Sequence, residues 1–216
     1  ILADDTVLVD IDDGEQAKIL LTIVKTKELK CRVLATSRGM HFLFKIDKPM
    51  PNRTHCKLGI GLTADIKGGG RASYEVLKYD GKEREVLYDS GTTQILPKYL
   101  NPIKSNVNLL NMVEGEGRNN ALFSYILPLQ QNDFTVEECR ECIGIINEFV
   151  LKDSLSEEEL KSVLRDGAFN KPTFFNSKGT FLFDKFANYL VRVANIVKIN
   201  GRLHIYKDGI YQCGDE

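Results

Sequence analysis

The sequence predicts an α+β fold: a sheet with flanking helices in the first half, then a small all-α part. Three observations carry this. Between Thr6 and Asp89 the chain reads as short apolar, β-branched runs separated by turn residues. The texture changes near Leu96-Pro97, after which apolar residues recur at helical spacing. Two capping boxes stand in that second part, Thr135 with Glu138 and Ser156 with Glu159, each ahead of an apolar-periodic run.

The elements follow in order. Residues 6–12, TVLVDID, predict a buried strand whose far end carries carboxylates, and Asp13-Gly14 breaks it. Ala17, Leu20, Leu21 and Val24 give residues 15–29 the apolar stripe of an amphipathic helix. Two strands are expected from Cys31 to Thr36 and from His41 to Ile46, joined by Ser37-Arg38-Gly39-Met40, with a proline-containing loop, KPMPNRTH, after them. Thr63 to Lys67 predicts another strand, ending in Gly68-Gly69-Gly70. Residues 72–79 and 84–88 flank Asp80-Gly81, a hairpin signal. Residues 107–113 and 118–130 are helix candidates. The tail predicts a helix from Phe181 to Val197 and a hairpin around Asp208-Gly209. Boundaries are expected near residues 100 and 175, giving segments 1–99, 100–175 and 176–216.

Composition sets bounds. A chain of 216 residues with 43% hydrophobic content can bury one large core or two small ones. The net charge of -1 gives no overall basic signature, although a local basic groove is compatible with it. No apolar run reaches the ~18 residues that span a bilayer. The first residues, ILADDTVLVDIDD, run straight into acidic clusters and do not read as a secretory signal. Five cysteines without framework spacing predict reduced thiols and a cytoplasmic protein. The chain opens at Ile1, almost inside a strand, so a preceding segment is expected to be missing.

Three constellations carry chemistry. Asp10-Ile11-Asp12 places two carboxylates on one face of a strand end, because residues i and i+2 of a strand share a face. Their mutual repulsion is relieved by a divalent cation, and carboxylate oxygens suit Mg²⁺ or Mn²⁺; a solvated acidic turn is the plainer alternative. Ser37-Arg38-Gly39-Met40-His41 gathers a hydroxyl, a guanidinium and an imidazole around a glycine turn, all donors to phosphate oxygens; a plain β-turn is the alternative. Asp65 and Lys67 again share a strand face, ahead of glycines that would offer unobstructed backbone N–H groups. That run lacks the Lys-Ser/Thr of a P-loop.

The order VDIDD, then TSRGMH, then ADIKGGG resembles the three motifs of the archaeo-eukaryotic primase superfamily, in its phage and plasmid primase-polymerase branch. The run EGEGRNNALFSYIL resembles the start of the helical primase C-terminal domain, and SLSEEELKSVLRDGAF its last helices. The tail is similar to the entry of a poxvirus-type primase-helicase module. The resemblance implies an RRM-like palm over 1–99, a helical domain over 100–175 and the start of a helicase-associated region over 176–216. It implies a DNA primase and polymerase, a nucleotidyltransferase that uses two Mg²⁺ or Mn²⁺ ions. Asp10, Asp12 and Asp65 would be metal ligands, with His41 beside them as a catalytic residue. Ser37, Arg38, His41 and Lys67 would contact the triphosphate. The partners implied are a single-stranded DNA template, NTP or dNTP, and a helicase domain in cis beyond residue 216 or in trans, in a bacterial host cytoplasm and without a membrane.

Other suggestive residues have plainer readings. Cys139 and Cys142 lack a second ligand pair and share one helix face. Arg118-Asn119-Asn120 reads as a helix start knitted to a neighbouring loop as readily as a nucleic-acid contact. His55 and His204 are lone histidines. Glu157, Glu158 and Glu159 favour the positive end of a helix dipole.

Overall fold

The fold is organised around β1, Thr6–Ile11, whose alternate residues serve two different layers. Val7, Val9 and Ile11 are fully buried in the main core. They share it with Ala17, Leu20, Ile23 and Val24 of α1, Gly14–Thr26, whose apolar stripe is the one the periodicity predicts. Asp13 caps α1, its carboxylate accepting from the N–H groups of Glu15 and Gln16. The computed structural model describes residues 1–69, 73–169, 174–175, 180–194, 196–207 and 209–214.

β1 pairs antiparallel on both sides, with β3, Met40–Lys45, and with β5, Thr63–Gly68. β2, Arg32–Ala35, adds to β3, and β8, Val86–Asp89, adds to β2. On the other side β4, Arg53–Leu58, pairs with β5, and the short β9, Pro102–Ile103, pairs with β4. The result is a seven-stranded sheet in the order β8-β2-β3-β1-β5-β4-β9, every pairing antiparallel. The expected loop KPMPNRTH is shorter than predicted, because its last three residues open β4, whose outward side chains hide the strand period. At the expected hairpin, β6, Lys78–Tyr79, and β7, Lys82–Glu83, flank Asp80 and Gly81. Both turn residues have positive φ, at 50° and 75°. Residues 86–89 leave that ribbon and join the main sheet instead.

The second half supplies α2, Arg118–Gln131, α3, Val136–Ile145, and α4, Glu157–Val163. Both capping boxes form. Residues 107–113 are not helical: Asn111 has φ 59°, and the segment hydrogen-bonds to the chain after α3 through Asn111 N–H to Val150 O and Lys152 N–H to Met112 O. A π-helical segment, Ile146–Val150, continues α3.

These helices have no core of their own. Leu122, Tyr125, Ile126, Cys139 and Cys142 belong to the same buried cluster as Val9, Phe42 and Ile66 of the sheet. Cys142 Sγ donates to Gly59 O at 3.2 Å, and Tyr125 Oη lies 3.5 Å from Leu58 O. Burial pushes the Cys139 thiol up to about 12 and Cys142 well above its ordinary value, as suits structural thiols. The compact units of the chain are Ile1–Lys171 and Pro172–Glu216.

The second unit holds α5, Phe183–Ala194, and a three-stranded antiparallel sheet of β10, Ile196–Ile199, β11, Arg202–Lys207, and β12, Ile210–Cys213. The predicted helix to Val197 stops earlier because β-branched Ile196 and Val197 enter β10. Lys207 pairs with Ile210 as the hairpin signal implies, while Asp208 lies outside the described residues. Phe186 meets Phe174 and Phe181 edge-on, with centroids 5.0 Å and 5.3 Å apart. Among the described residues, no helix is long and apolar enough to cross a membrane.

A shared core makes a direct prediction. Tyr125→Ala, which empties a fully buried site between α2 and the β4–β5 turn, should destabilise the first unit by about 3–5 kcal/mol. Hydrogen exchange in β1 and β5 should accelerate together with that in α2 and α3. Protection of the sheet amides unchanged from the parent protein would mean that the helices fold separately.

Candidate functional site

The face of β1 turned away from α1 carries the polar residues. Antiparallel registry sets Asp10 opposite His41 on β3 and opposite Asp65 on β5. Directly opposed residues project to the same side, so the three form one row across the middle of the sheet. Leu8 lies opposite Lys67, which places Lys67 one step along the same face. A cavity of ≈ 470 Å³ opens over this row. Asp10, Asp12, Ser37, His41, Asp65 and Lys67 all line it, with Asn52, Arg53, Tyr74 and Arg84. A second hollow of ≈ 340 Å³ shares Asp10, Asp12 and Asp65 and adds Asp13, Gln16 and His55. Carboxylates thus gather toward the start of α1, and the cations Arg53, Lys67 and Arg84 line the larger cavity.

Asp10 is the centre of charge. Its Oδ2 accepts from Lys67 Nζ at 2.7 Å, and its Oδ1 lies 3.1 Å from His41 Nε2. Its side chain is only 11 % exposed. The His41 contact is one of charge and proximity; buried Oδ1 receives no aligned hydrogen bond and keeps its lone pairs. Burial alone would push the Asp10 carboxyl up, but contact with His41 and Lys67 outweighs it and holds the group at about 2. Burial alone would push His41 down, and the Asp10 and Glu75 carboxylates reverse this and raise it to about 8. His41 Nδ1 faces Glu75, 2.8 Å from Oε1 and 2.7 Å from Oε2.

The other predicted residues are placed as follows. Asp12 follows the end of β1, and its exposed carboxylate lies 3.5 Å from Arg38 Nη2. Arg38 is equally open to solvent, so this pair contributes little to stability. Ser37 is exposed at the cavity rim. Their turn is held by Thr36, whose Oγ1 accepts from Gly39 N–H at 2.9 Å, and by the packing of Gly39 on β1. A Cβ at position 39 would stand 1.8 Å from Ile11 O, so glycine is required for this close approach. Asp65 Oδ1 accepts from His55 N–H at 2.7 Å. His55 has φ 49° at the irregular step of β4, so a bulge in the neighbouring strand orients this carboxylate.

The glycine run serves packing rather than an open donor array. Gly68 N–H donates to Asn52 Oδ1 at 2.9 Å and Gly69 N–H to Thr6 O at 2.7 Å. A Cβ at Gly69 would lie 1.8 Å from Ala3 O. Gly70 falls outside the described residues. Likewise Arg118 donates to Ser154 O at 3.0 Å and Asn119 to Glu159 Oε1 at 3.3 Å, which knits the start of α2 to the loop before α4 and to the first turn of α4.

Among the described residues, no group of three or more His, Cys, Asp or Glu side chains is drawn together as a metal cluster. Asp10, Asp12 and Asp65 share the cavity walls, but each is turned to its own partner: Lys67 and His41, Arg38, and the His55 N–H. By ligand type alone, carboxylate oxygens suit a hard divalent cation, and Asp10 keeps one buried oxygen without a hydrogen bond. Sequence reasoning missed Glu75 and Arg84. Glu75 meets His41 from 34 positions away, and nothing in its neighbourhood marks it as buried.

The pH dependence follows from signs. Asp10 is depressed when folded, so its stabilisation is present above its unfolded pKa and is lost as pH falls toward about 2. His41 is raised when folded, so its stabilisation is complete below about 6.5 and is lost as pH climbs through about 8. The melting temperature of the parent protein should therefore fall between pH 6.5 and 8, and His41→Gln should remove that fall. An identical slope in both proteins would assign the titration elsewhere.

Comparison with protein-family models, with characterised proteins and with solved structures finds no match to this chain.

Proposed function

We propose that this chain is the catalytic part of a primase-polymerase of phage or plasmid replication, joining a 3′-hydroxyl to the α-phosphate of a nucleotide on a single-stranded DNA template. The observation that carries the reading is the single row of Asp10, His41 and Asp65, with Lys67 beside it, under one cavity. Three sequence motifs with no local reason to meet are brought to one place by strand registry. Partners under this reading are an NTP or dNTP, the template, and a helicase domain in cis or in trans, inside a bacterial host cell.

Asp10, Asp12 and Asp65 would hold Mg²⁺ or Mn²⁺, whose charge serves the attacking and leaving oxygens of the displacement. The chain's own groups do the remainder. Asp10 now occupies two cations, Lys67 and His41, that would otherwise be free for phosphate. With Asp10 committed to a divalent cation, Lys67 Nζ and His41 Nε2 would be free to donate to the triphosphate. Ser37 stands at the rim, and Arg38 follows it in the same turn beside Asp12; a hydroxyl and a guanidinium there would donate to its outer oxygens. Arg53 and Arg84 add positive charge along the same wall. Stabilisation of charge on phosphate oxygens is the main need of this chemistry.

A second reading is a non-catalytic template-binding or initiation module that tethers a helicase. It takes its support from Asp10, whose charge Lys67 and His41 already answer.

Asp10→Asn should lower nucleotide incorporation on a primed template by about 100-fold or more while the protein still folds. Mn²⁺ together with dNTP should raise the melting temperature of the parent by mass action. The same mixture without nucleotides should leave labelled single-stranded DNA intact, whereas its cleavage would indicate a nuclease. Undiminished incorporation by Asp10→Asn would defeat the assignment.

A further inference from the structure

Glu75 has no part in the scheme above, yet its side chain is only 6 % exposed. It does not line the cavity; it stands behind His41, with both carboxylate oxygens on Nδ1 at 2.8 and 2.7 Å. Arg84, which does line the cavity, stands beside it, with Nε 3.8 Å from Oε1. Arg84 is itself fixed by donation from Nη1 to Ala35 O at 3.0 Å and from Nε to Val76 O. Glu75 is thus held between a guanidinium and an imidazole, and a buried carboxylate keeps such partners because an unpaired charge there is excluded.

The consequence falls on the ring. A histidine can turn over about its Cβ–Cγ bond, which exchanges each ring nitrogen for a carbon. With Glu75 on Nδ1, that turn would put a C–H against the carboxylate and withdraw Nε2 from Asp10. A partner on one ring nitrogen sets what the other presents. We propose that Glu75 is a positioning residue: it commits the Nδ1–H of His41 and thereby aims Nε2 at Asp10 and the cavity, where it meets a phosphate oxygen of the bound nucleotide. The nucleotide half of this statement rests on the function proposed above; the orientation of the ring does not.

The experiment reads the two halves separately. The chain has three histidines, so an imidazole ¹⁵N–¹H spectrum is simple, and His41→Gln identifies the His41 signals. At neutral pH the parent and Glu75→Gln, whose amide oxygen still accepts from Nδ1–H, should show a slowly exchanging Nδ1–H resonance for His41. Glu75→Ala should lose it. The dissociation constant for Mg²⁺-dATP should rise about tenfold in Glu75→Ala and by less than about threefold in Glu75→Gln. Rescue by Gln separates positioning of the ring from simple charge balance with Arg84. If Glu75→Ala does not fold, Glu75→Asp, one methylene shorter, makes the same comparison. Should the parent bind no nucleotide, the proposed function fails and the resonance alone decides the placement. A His41 Nδ1–H signal that survives in Glu75→Ala, or nucleotide binding unchanged in that variant, overturns the proposal.

Discussion

A buried carboxylate on the central strand of a sheet has to be answered by charge, and the region around Asp10 is arranged to do so. Lys67 comes from one neighbouring strand and His41 from the other. Neither is supplied by the local sequence of β1; both arrive through antiparallel registry. Behind His41 the alternation continues through buried Glu75 to Arg84, so that positive and negative groups follow one another from Asp10 to a second cation of the cavity wall. Each member is partly desolvated, and each is tolerable only because its neighbours are present. This links the stability of the sheet to the electrostatic character of the site.

The opposite face of the same strand does different work. Val7, Val9 and Ile11 join α1 to a core that extends, without interruption, to α2 and α3. The site is therefore carried on a strand whose back is packed by α1, within a core that α2 and α3 share. Rigid backing suits chemistry that depends on placing charge, because a shift of the strand would move Asp10 relative to both of its partners at once.

What the sequence revealed depended on how far each residue is from its partners. β1 and α1 are legible because their periods are complete within a few residues. The pairs Asp10/Asp12 and Asp65/Lys67 are legible as shared faces because strand alternation is local. β4 was obscured, since Arg53, Thr54 and His55 point to solvent and erase the apolar half of the alternation. Residues 107–113 carry helical composition, yet their backbone is claimed by the chain after α3. The role of Gly68 and Gly69 was misread because the groups that crowd them, Met50, Ala3 and Thr6, lie elsewhere along the chain. Glu75 and Arg84 gave no signal at all: a buried acid and base look like surface residues until the fold brings each its counterpart.

The double pairing of β1 also constrains how this chain can vary. A strand with ladders on both sides cannot gain or lose a single residue without turning Asp10 toward the core and a valine or isoleucine toward the cavity. Length changes in such a protein are confined to its connections. The turn at Asp80 and Gly81 and the bend at Gly91, where a Cβ would meet nothing within 4 Å at either glycine, can absorb insertions. The turn from Thr36 to Gly39 cannot, because Gly39 is pressed against the end of β1. Any descendant that keeps the row of Asp10, His41 and Asp65 should therefore keep that turn at constant length, while its outer hairpins drift in size.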